Sequence, residues 1–235
     1  LNLVNKHHLT KRLTAVANFV PQGARLADIG SDHAMVPINL VASGTIDYAV
    51  AGEVITGPFS RAQAAVTDAG LATQIQVRLA DGLAAIQAGD QIDTVVIAGM
   101  GGILIRDILA RGWRTLKTVK RLVLEPNVQE DVVRTWLAQQ QFTIVAESIL
   151  REDNHTYEII VAEPSDQPVN YTTQQIKFGP HLMQAQSPVF QAKWQHQLLT
   201  NQRILANLAQ AQNVPQAKIA ALETENQQIM EVLHG

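Results

Sequence analysis

Apolar residues along the chain fall into short runs separated by glycine, proline and polar clusters, and the runs alternate between two periods. ARLADIG (24–30), DYAVAGEVI (47–55), QIQVRLADG (74–82), DTVVIAGMGG (93–102) and KRLVLEP (120–126) carry no clear polar face. That is the pattern of strands buried on both sides. Between them lie stretches with helical spacing: HAMVPINLVASG (33–44), PFSRAQAAVTDAG (58–70), ILIRDILARGW (103–113) and QEDVVRTWLAQQ (129–140). Gly44 and Gly70 close the first two, and Pro58 stands near the start of the second, the usual asymmetry of helix punctuation. An earlier helix, LTKRLTAVANFV (9–20), sets Leu9, Leu13, Val16 and Val20 on one face and stops at Pro21. Strands alternating with helices predict a mostly parallel, doubly wound α/β sheet covered on both faces.

The alternation breaks after residue 141. FTIVAESILRED (142–153) and HTYEIIVAEP (155–164) are two strands joined by a very short polar turn, so they should pair as an antiparallel hairpin. A Rossmann-like sheet of five parallel strands finished by such a hairpin is the outline of S-adenosylmethionine (AdoMet)-dependent methyltransferases. A dinucleotide-binding sheet more often continues with another crossover; both statements are fold-level analogies. Past EPSDQPVN (163–170) the composition shifts to Gln, Leu, Ala and Asn. Two helical stretches, about 187–212 and 215–234, flank Asn213-Val214-Pro215, and in the second Ile219, Leu222, Asn226, Ile229 and Leu233 step by 3 and 4 in turn. These predict a coiled-coil-like antiparallel helical hairpin. The expected division is therefore residues 1–165 as the α/β domain with its N-terminal helix, and 166–235 as the helical hairpin.

Hydrophobic residues make up 46% of the 235-residue chain and charged ones 17%, which supplies a large core and excludes disorder. No apolar run approaches the ~20 residues of a membrane span, and the N-terminal segment lacks the apolar region of a signal peptide. The absence of cysteine excludes disulfides and thiolate metal sites and fits a cytoplasmic protein. His7, His8, His33, His155, His181, His196 and His234 show no ligand spacing, so no metal is expected. The net charge of −3 hides an uneven distribution. Residues 1–25 and 106–121 hold ten of the 18 basic residues and one of the 21 acids. Lys6, Lys11 and Arg12 stand in the first segment, Arg106, Arg111, Arg114, Lys117, Lys120 and Arg121 in the second. Solvated helix faces would explain either; two clusters on an acidic protein point to a polyanionic partner.

The strand ends carry the candidate chemistry, because ligands of open α/β sheets bind outside the carboxyl ends of the strands. Strand one ends in Asp28-Ile29-Gly30-Ser31-Asp32-His33, strand two at Glu53, strand three at Asp81-Gly82, strand four in Ala98-Gly99-Met100-Gly101-Gly102, and strand five in Glu125-Pro126-Asn127. Glu53 follows Gly30 by 23 residues, where an acid holds a ribose by its two hydroxyls. The first turn lacks the second and third glycines of GxGxxG, which admit a pyrophosphate. Asp28 and Asp32 would repel a diphosphate and attract the ammonium and sulfonium of AdoMet. His33 on its own fits a helix start as well as a ligand contact. Asp81-Gly82 is placed to meet an adenine ring, or is an ordinary turn. The glycines of the fourth strand end let backbone approach a cofactor or an incoming base, and Asn127 beside Pro126 adds an amide donor and acceptor.

DIGSDHAMVP (28–37), AGMGGILI (98–105), LVLEPN (122–127) and REDNHTYEII (151–160), with KRL (11–13), FGP (178–180) and the PVF and KW of 188–194, resemble the bacterial tRNA (adenine-22) N1-methyltransferase family over nearly the whole chain. The resemblance implies a class I methyltransferase domain, a small coiled-coil-like C-terminal domain, AdoMet as cofactor, and an adenine in the D arm of tRNA as substrate. Such a reaction asks little of acid–base chemistry, since N1 of adenine already offers a lone pair and alignment supplies most of the rate. Methylation leaves a cationic base, for which Asp28 is the first stabilising candidate. Asn127 and the Gly99–Gly102 backbone would hold the base, flipped from its stack, while Lys11, Arg12, Arg111 and Arg114 would meet the RNA backbone. A monomer suffices for this reading. The competing readings are an AdoMet-dependent methyltransferase acting on another RNA, a protein or a small molecule, an NAD(P)-dependent oxidoreductase, disfavoured by the missing glycines, and a catalytically silent RNA-binding module.

Overall fold

The computed structural model describes residues 9–209 and 216–234, so Lys6, His7 and His8 of the first basic segment and the 213–215 break lie outside it. One sheet runs in the order β3-β2-β1-β4-β5-β7-β6. Its strands are β1 (Arg25–Ile29), β2 (Tyr48–Glu53), β3 (Ile75–Leu79), β4 (Thr94–Met100), β5 (Arg121–Pro126), β6 (Phe142–Glu152) and β7 (His155–Pro164). The first five are parallel, β7 is antiparallel to β5, and β6 to β7. This is the expected sheet, hairpin included. The hairpin turn is Asp153-Asn154, both at positive φ (46° and 64°), the backbone twist that two-residue hairpin loops need and that Asp and Asn tolerate.

Successive strand residues feed two different cores, which explains the unbroken apolar runs. Ala27, Val95, Leu122 and Leu124 enter one core with α4 (Gly102–Arg111), α5 (Trp113–Leu116) and α6 (Glu130–Gln139). Leu26, Val96 and Val123 enter the other with α1 (Lys11–Ala17), α2 (Met35–Ala42) and α3 (Thr56–Asp68). Each fully buried Val, Leu or Ile stabilises the fold by roughly 1.5–3 kcal/mol. No helix among the described residues is long and apolar enough to cross a membrane.

The C-terminal part contains more than the two expected helices. Before α9 (Pro188–Leu208) and α10 (Gln216–His234) come α7 (Thr173–Phe178) and α8 (Pro180–Ala185). Six residues each are too few for a period to show. The readable cue was the capping box of Thr172 and Gln175, whose side chains satisfy each other's backbone N–H groups. The long pair is antiparallel, sealed by Phe178, Leu182, Phe190, Trp194, Ile229 and Val232. Asn226, the polar member of the seam, is buried there.

A buried ion network fastens these helices to the sheet. Arg134 on α6 donates from Nε to Glu147 on β6 at 2.7 Å and from Nη2 to Glu158 on β7 at 2.5 Å. Lys193 on α9 reaches Glu158 and Glu130, each at 2.7 Å. The other Glu147 oxygen accepts from the backbone N–H groups of His181 and Leu182. Gly179 joins α7 to α8 at φ +85°, and a Cβ there would lie 2.7 Å from Arg134 Nη2. Only glycine lets that bend rest on the network.

Candidate active site at the carboxyl ends of the strands

β1 ends in a turn that buries one carboxylate and strains the backbone. Asp28 is 4% exposed and accepts a 2.5 Å hydrogen bond from the hydroxyl of buried Ser31. Gly30 has φ +71°, and a Cβ on it would lie 2.0 Å from Met100 Cε. Glycine takes this conformation without strain, and any larger residue would also have to displace the Met100 methyl. Asp32, His33 and Ala34 follow, all at positive φ (27°, 65° and 53°). Three successive non-glycine residues in this region cost roughly 1–2 kcal/mol each, the kind of strain that gathers at ligand sites.

Glu53, at the end of β2, closes on the same turn. It is 6% exposed and accepts the backbone N–H of Asp32 at 2.6 Å. Burial pushes the Asp28 carboxyl up to about 7; the Ser31 hydroxyl opposes this and the charge of Glu53 adds to it. Burial also raises Glu53, against the pull of the Asp32 N–H. Arg61 and the His33 ring approach the exposed Asp32 at 3.8 and 3.6 Å rather than either buried carboxylate, and Arg61 lowers Glu53 only from a distance and by less than burial raises it. Two buried acids thus face the same turn with no ion-pair partner among the described residues.

The other strand ends complete the rim. Asp81 is exposed and reached by Arg111 Nη2 at 3.2 Å. Gly82 turns at φ +55° against Ile108. At the end of β4 the register shifts between Ala98 and Met100, and Gly99 bulges out at φ +76°. Its N–H donates to Glu125 Oε2 at 2.8 Å. Met100 pairs with Pro126 in the sheet, and its carbonyl accepts the N–H of Asn127 at 2.8 Å, leaving Asn127 exposed beside the bulge. Gly101 precedes α4 without a side-chain cap. Val54, Ile55, Leu79, Ile103, Leu104 and Val128 stand exposed around these ends, an apolar border suited to a planar ring.

Several expectations change in the structure. Gly102 is accounted for by the protein itself, because a Cβ would lie 2.1 Å from the carbonyl oxygen of Gln129; room for a ligand is not its reason. Arg12 is engaged in an ion pair with Glu125 Oε2 at 2.5 Å, whereas Lys11 beside it is exposed. The second basic segment is split. Arg106, Arg111 and Arg121 pair with Asp107, Asp81 and Glu163. Arg114 lines a cavity of about 560 Å³ with Asp93 and Lys120, which precede β4 and β5. It therefore sits at the amino end of the sheet, away from the rim. Glu125, part of the fifth strand end in sequence but given no role there, is wholly buried; a charged residue inside the apolar run LVLEP is its signal.

Comparison with known proteins shows the family. A family model described as tRNA (adenine(22)-N(1))-methyltransferase matches residues 26–231. The Bacillus subtilis (strain 168) tRNA (adenine(22)-N(1))-methyltransferase is 39% identical over 219 residues, 92% of either chain. A Listeria monocytogenes serotype 4b structure superposes with a TM-score of 0.95 at 47% identity, covering 96% of this chain and 100% of that one. A Streptococcus pneumoniae protein solved in complex with S-adenosyl-L-methionine gives 0.88 at 45% identity, covering 97% and 100%.

Proposed function

The chain belongs to the tRNA (adenine(22)-N(1))-methyltransferase family, and we propose that its strand-end site methylates N1 of adenine 22 in the D arm of tRNA. The observation that carries the assignment of the site is the pair of buried acids, Asp28 and Glu53, facing one strained turn with no ion-pair partner among the described residues. AdoMet fits this donor set: it would bring a ribose diol and two positive centres to a place where the chain supplies two buried acids and a glycine at positive φ packed against Met100.

When bound, AdoMet supplies the electrophilic methyl group. Glu53 would accept the ribose hydroxyls, Asp28 with Ser31 would face the cationic part, and Asp32, His33 and the Gly30 backbone would shape the turn around it. Asp81 and Gly82 would border its adenine, and Ala98 to Gly101 would line the cofactor beside them. Asn127, with both a donor and an acceptor, and the bulged backbone at Gly99 orient the target base beside Pro126. No residue must remove a proton from N1, so the chain's work is alignment and exclusion of water. The developing positive charge on the base is offset by Asp28. Lys11 meets RNA phosphate at the rim. Residues 166–235 extend the surface by shape more than by charge, because Lys177 and Lys193 are already paired with Glu225, Glu130 and Glu158. One copy of the chain carries every residue of this site, and the cytoplasm, where tRNA is matured, is its setting.

The test is methyl transfer from labelled AdoMet to a tRNA transcript with adenine at position 22, followed by mapping of the modified base. A methyl group at N1 of that adenine, lost when guanine replaces it, is expected. Methylation at another position would overturn the proposed substrate base.

A further inference from the structure

Resting on this methyl-transfer reading, we propose that Arg12 and Glu125 form a positioning pair that sets the Gly99 bulge and Asn127 for catalysis, and that Arg12 is not a phosphate contact. A single oxygen, Glu125 Oε2, accepts both Arg12 Nη1 at 2.5 Å and the Gly99 N–H at 2.8 Å. That oxygen joins α1 to the bulge at the end of β4. The bulge in turn holds its neighbours: the Met100 carbonyl takes the Asn127 N–H, and the Met100 side chain lies against Gly30. A shift of Glu125 therefore moves the base-side loop and the wall of the cofactor turn together.

Arg12 is held by its backbone and by its guanidinium. Its guanidinium lies 5.3 Å from the Tyr157 ring centroid, and its side chain is 23% exposed. Glu152, at the tip of the β6–β7 hairpin, accepts the backbone N–H groups of Lys11 and Arg12. A guanidinium so packed would have to leave an ion pair and an aromatic face to reach a phosphate. Exposed Lys11 carries no such cost.

Glu125 also differs from an acid kept for stability. Its Oε1 is buried with no hydrogen-bond partner among the described residues, whereas both oxygens of Glu147 and of Glu158 are filled. An unfilled buried acceptor is costly. A carboxylate retained at that cost is better explained by what it holds in place.

The test uses the full chain with a tRNA substrate, comparing Arg12→Ala, Arg12→Lys and Glu125→Gln. Steady-state rates, AdoMet affinity by calorimetry, tRNA binding across a salt series and thermal unfolding are measured for each. Arg12→Ala and Glu125→Gln should lose about 100-fold in kcat, as expected for misplacement of roughly an ångström. AdoMet affinity should fall far less than kcat, tRNA affinity should be unchanged, and Arg12→Lys should recover much of the rate. Unchanged kcat with a salt dependence flattened by a slope of about 0.7 to 0.9 would make Arg12 a phosphate contact and overturn the proposal. Equal losses in all three variants, accompanied by a fall in unfolding temperature and in AdoMet binding, would make the pair merely structural and overturn it too. The wild-type product is mapped first. A methyl at another base refutes the adenine-22 reading while the kcat comparison still judges the pair.

Discussion

Glu147 and Glu158 under the C-terminal helices and Asp28 and Glu53 at the strand ends are buried alike, yet their charges are handled in opposite ways. In the first set, Arg134 and Lys193 supply the counter-charge. Burial alone would raise Glu158, but these two cations bring it below the usual carboxylate range. In the second set no cation among the described residues pairs with either acid, and burial leaves Asp28 at about 7. The first set is complete without a ligand and acts as a fastener. The second becomes complete only when a positive ligand enters, so its cost to folding is a measure of its purpose.

The contrast can be broken most sharply at Arg134. Arg134→Met strands two buried acids and should destabilise the protein by about 3–5 kcal/mol, lowering Tm by roughly 6–20 °C. A Tm near wild type in a thermal melt would show that the network is no fastener. Glu53→Ala should do the reverse, leaving Tm unchanged or raised while AdoMet binding weakens by roughly 1.5–3 kcal/mol, the worth of a charge-assisted bond; calorimetry that finds full affinity would remove Glu53 from the site.

Asp28 gives a smaller effect with a distinctive pH signature. Its folded pKa of about 7 stands above the ordinary 3.8, so between those values the folded chain holds the proton and the unfolded chain releases it. Cofactor-free stability should therefore fall as pH rises through that window. Asp28→Asn should abolish the fall and gain on the order of 1–3 kcal/mol at pH 8. AdoMet affinity of the wild type should rise from pH 6 to 8 as the carboxylate ionises, and that of the variant should stay flat. Parallel pH profiles in the two proteins would deny Asp28 its role opposite a cation. The smallest effect separates the two ends of the sheet: Lys11→Ala should flatten the salt dependence of tRNA binding by a slope of about 0.7 to 0.9, and Arg114→Ala should not. Equal slopes would mean that RNA reaches the amino end as well.

The sheet and its acid-bearing ends were legible because each is written locally. Parallel strands buried on both faces give unbroken apolar runs, and a carboxylate that interrupts one marks its end. What escaped was written across distance. Arg134 lies inside VVRTW, and its acids come 13 and 24 residues later; only the fold joins them. Arg12 and Glu125 are 113 residues apart. Arg114 looked close to the glycine loop in sequence, but ten residues of α4 carry the chain about 15 Å away. Gly102 resembled a ligand-facing glycine because a backbone neighbour and a ligand demand the same missing side chain.

The clasp between α1 and the hairpin tip has a consequence for the order in which the protein comes into being. Glu152, which holds the backbone of Lys11 and Arg12, is made 140 residues after Arg12. At about 5–20 residues per second, the helix waits roughly 7–28 s for its partner. β1 to β5, with Asp28 and Glu53, are synthesised in that interval. The clasp is thus among the last contacts open to α1, made available only after the strands that carry the cofactor-side acids.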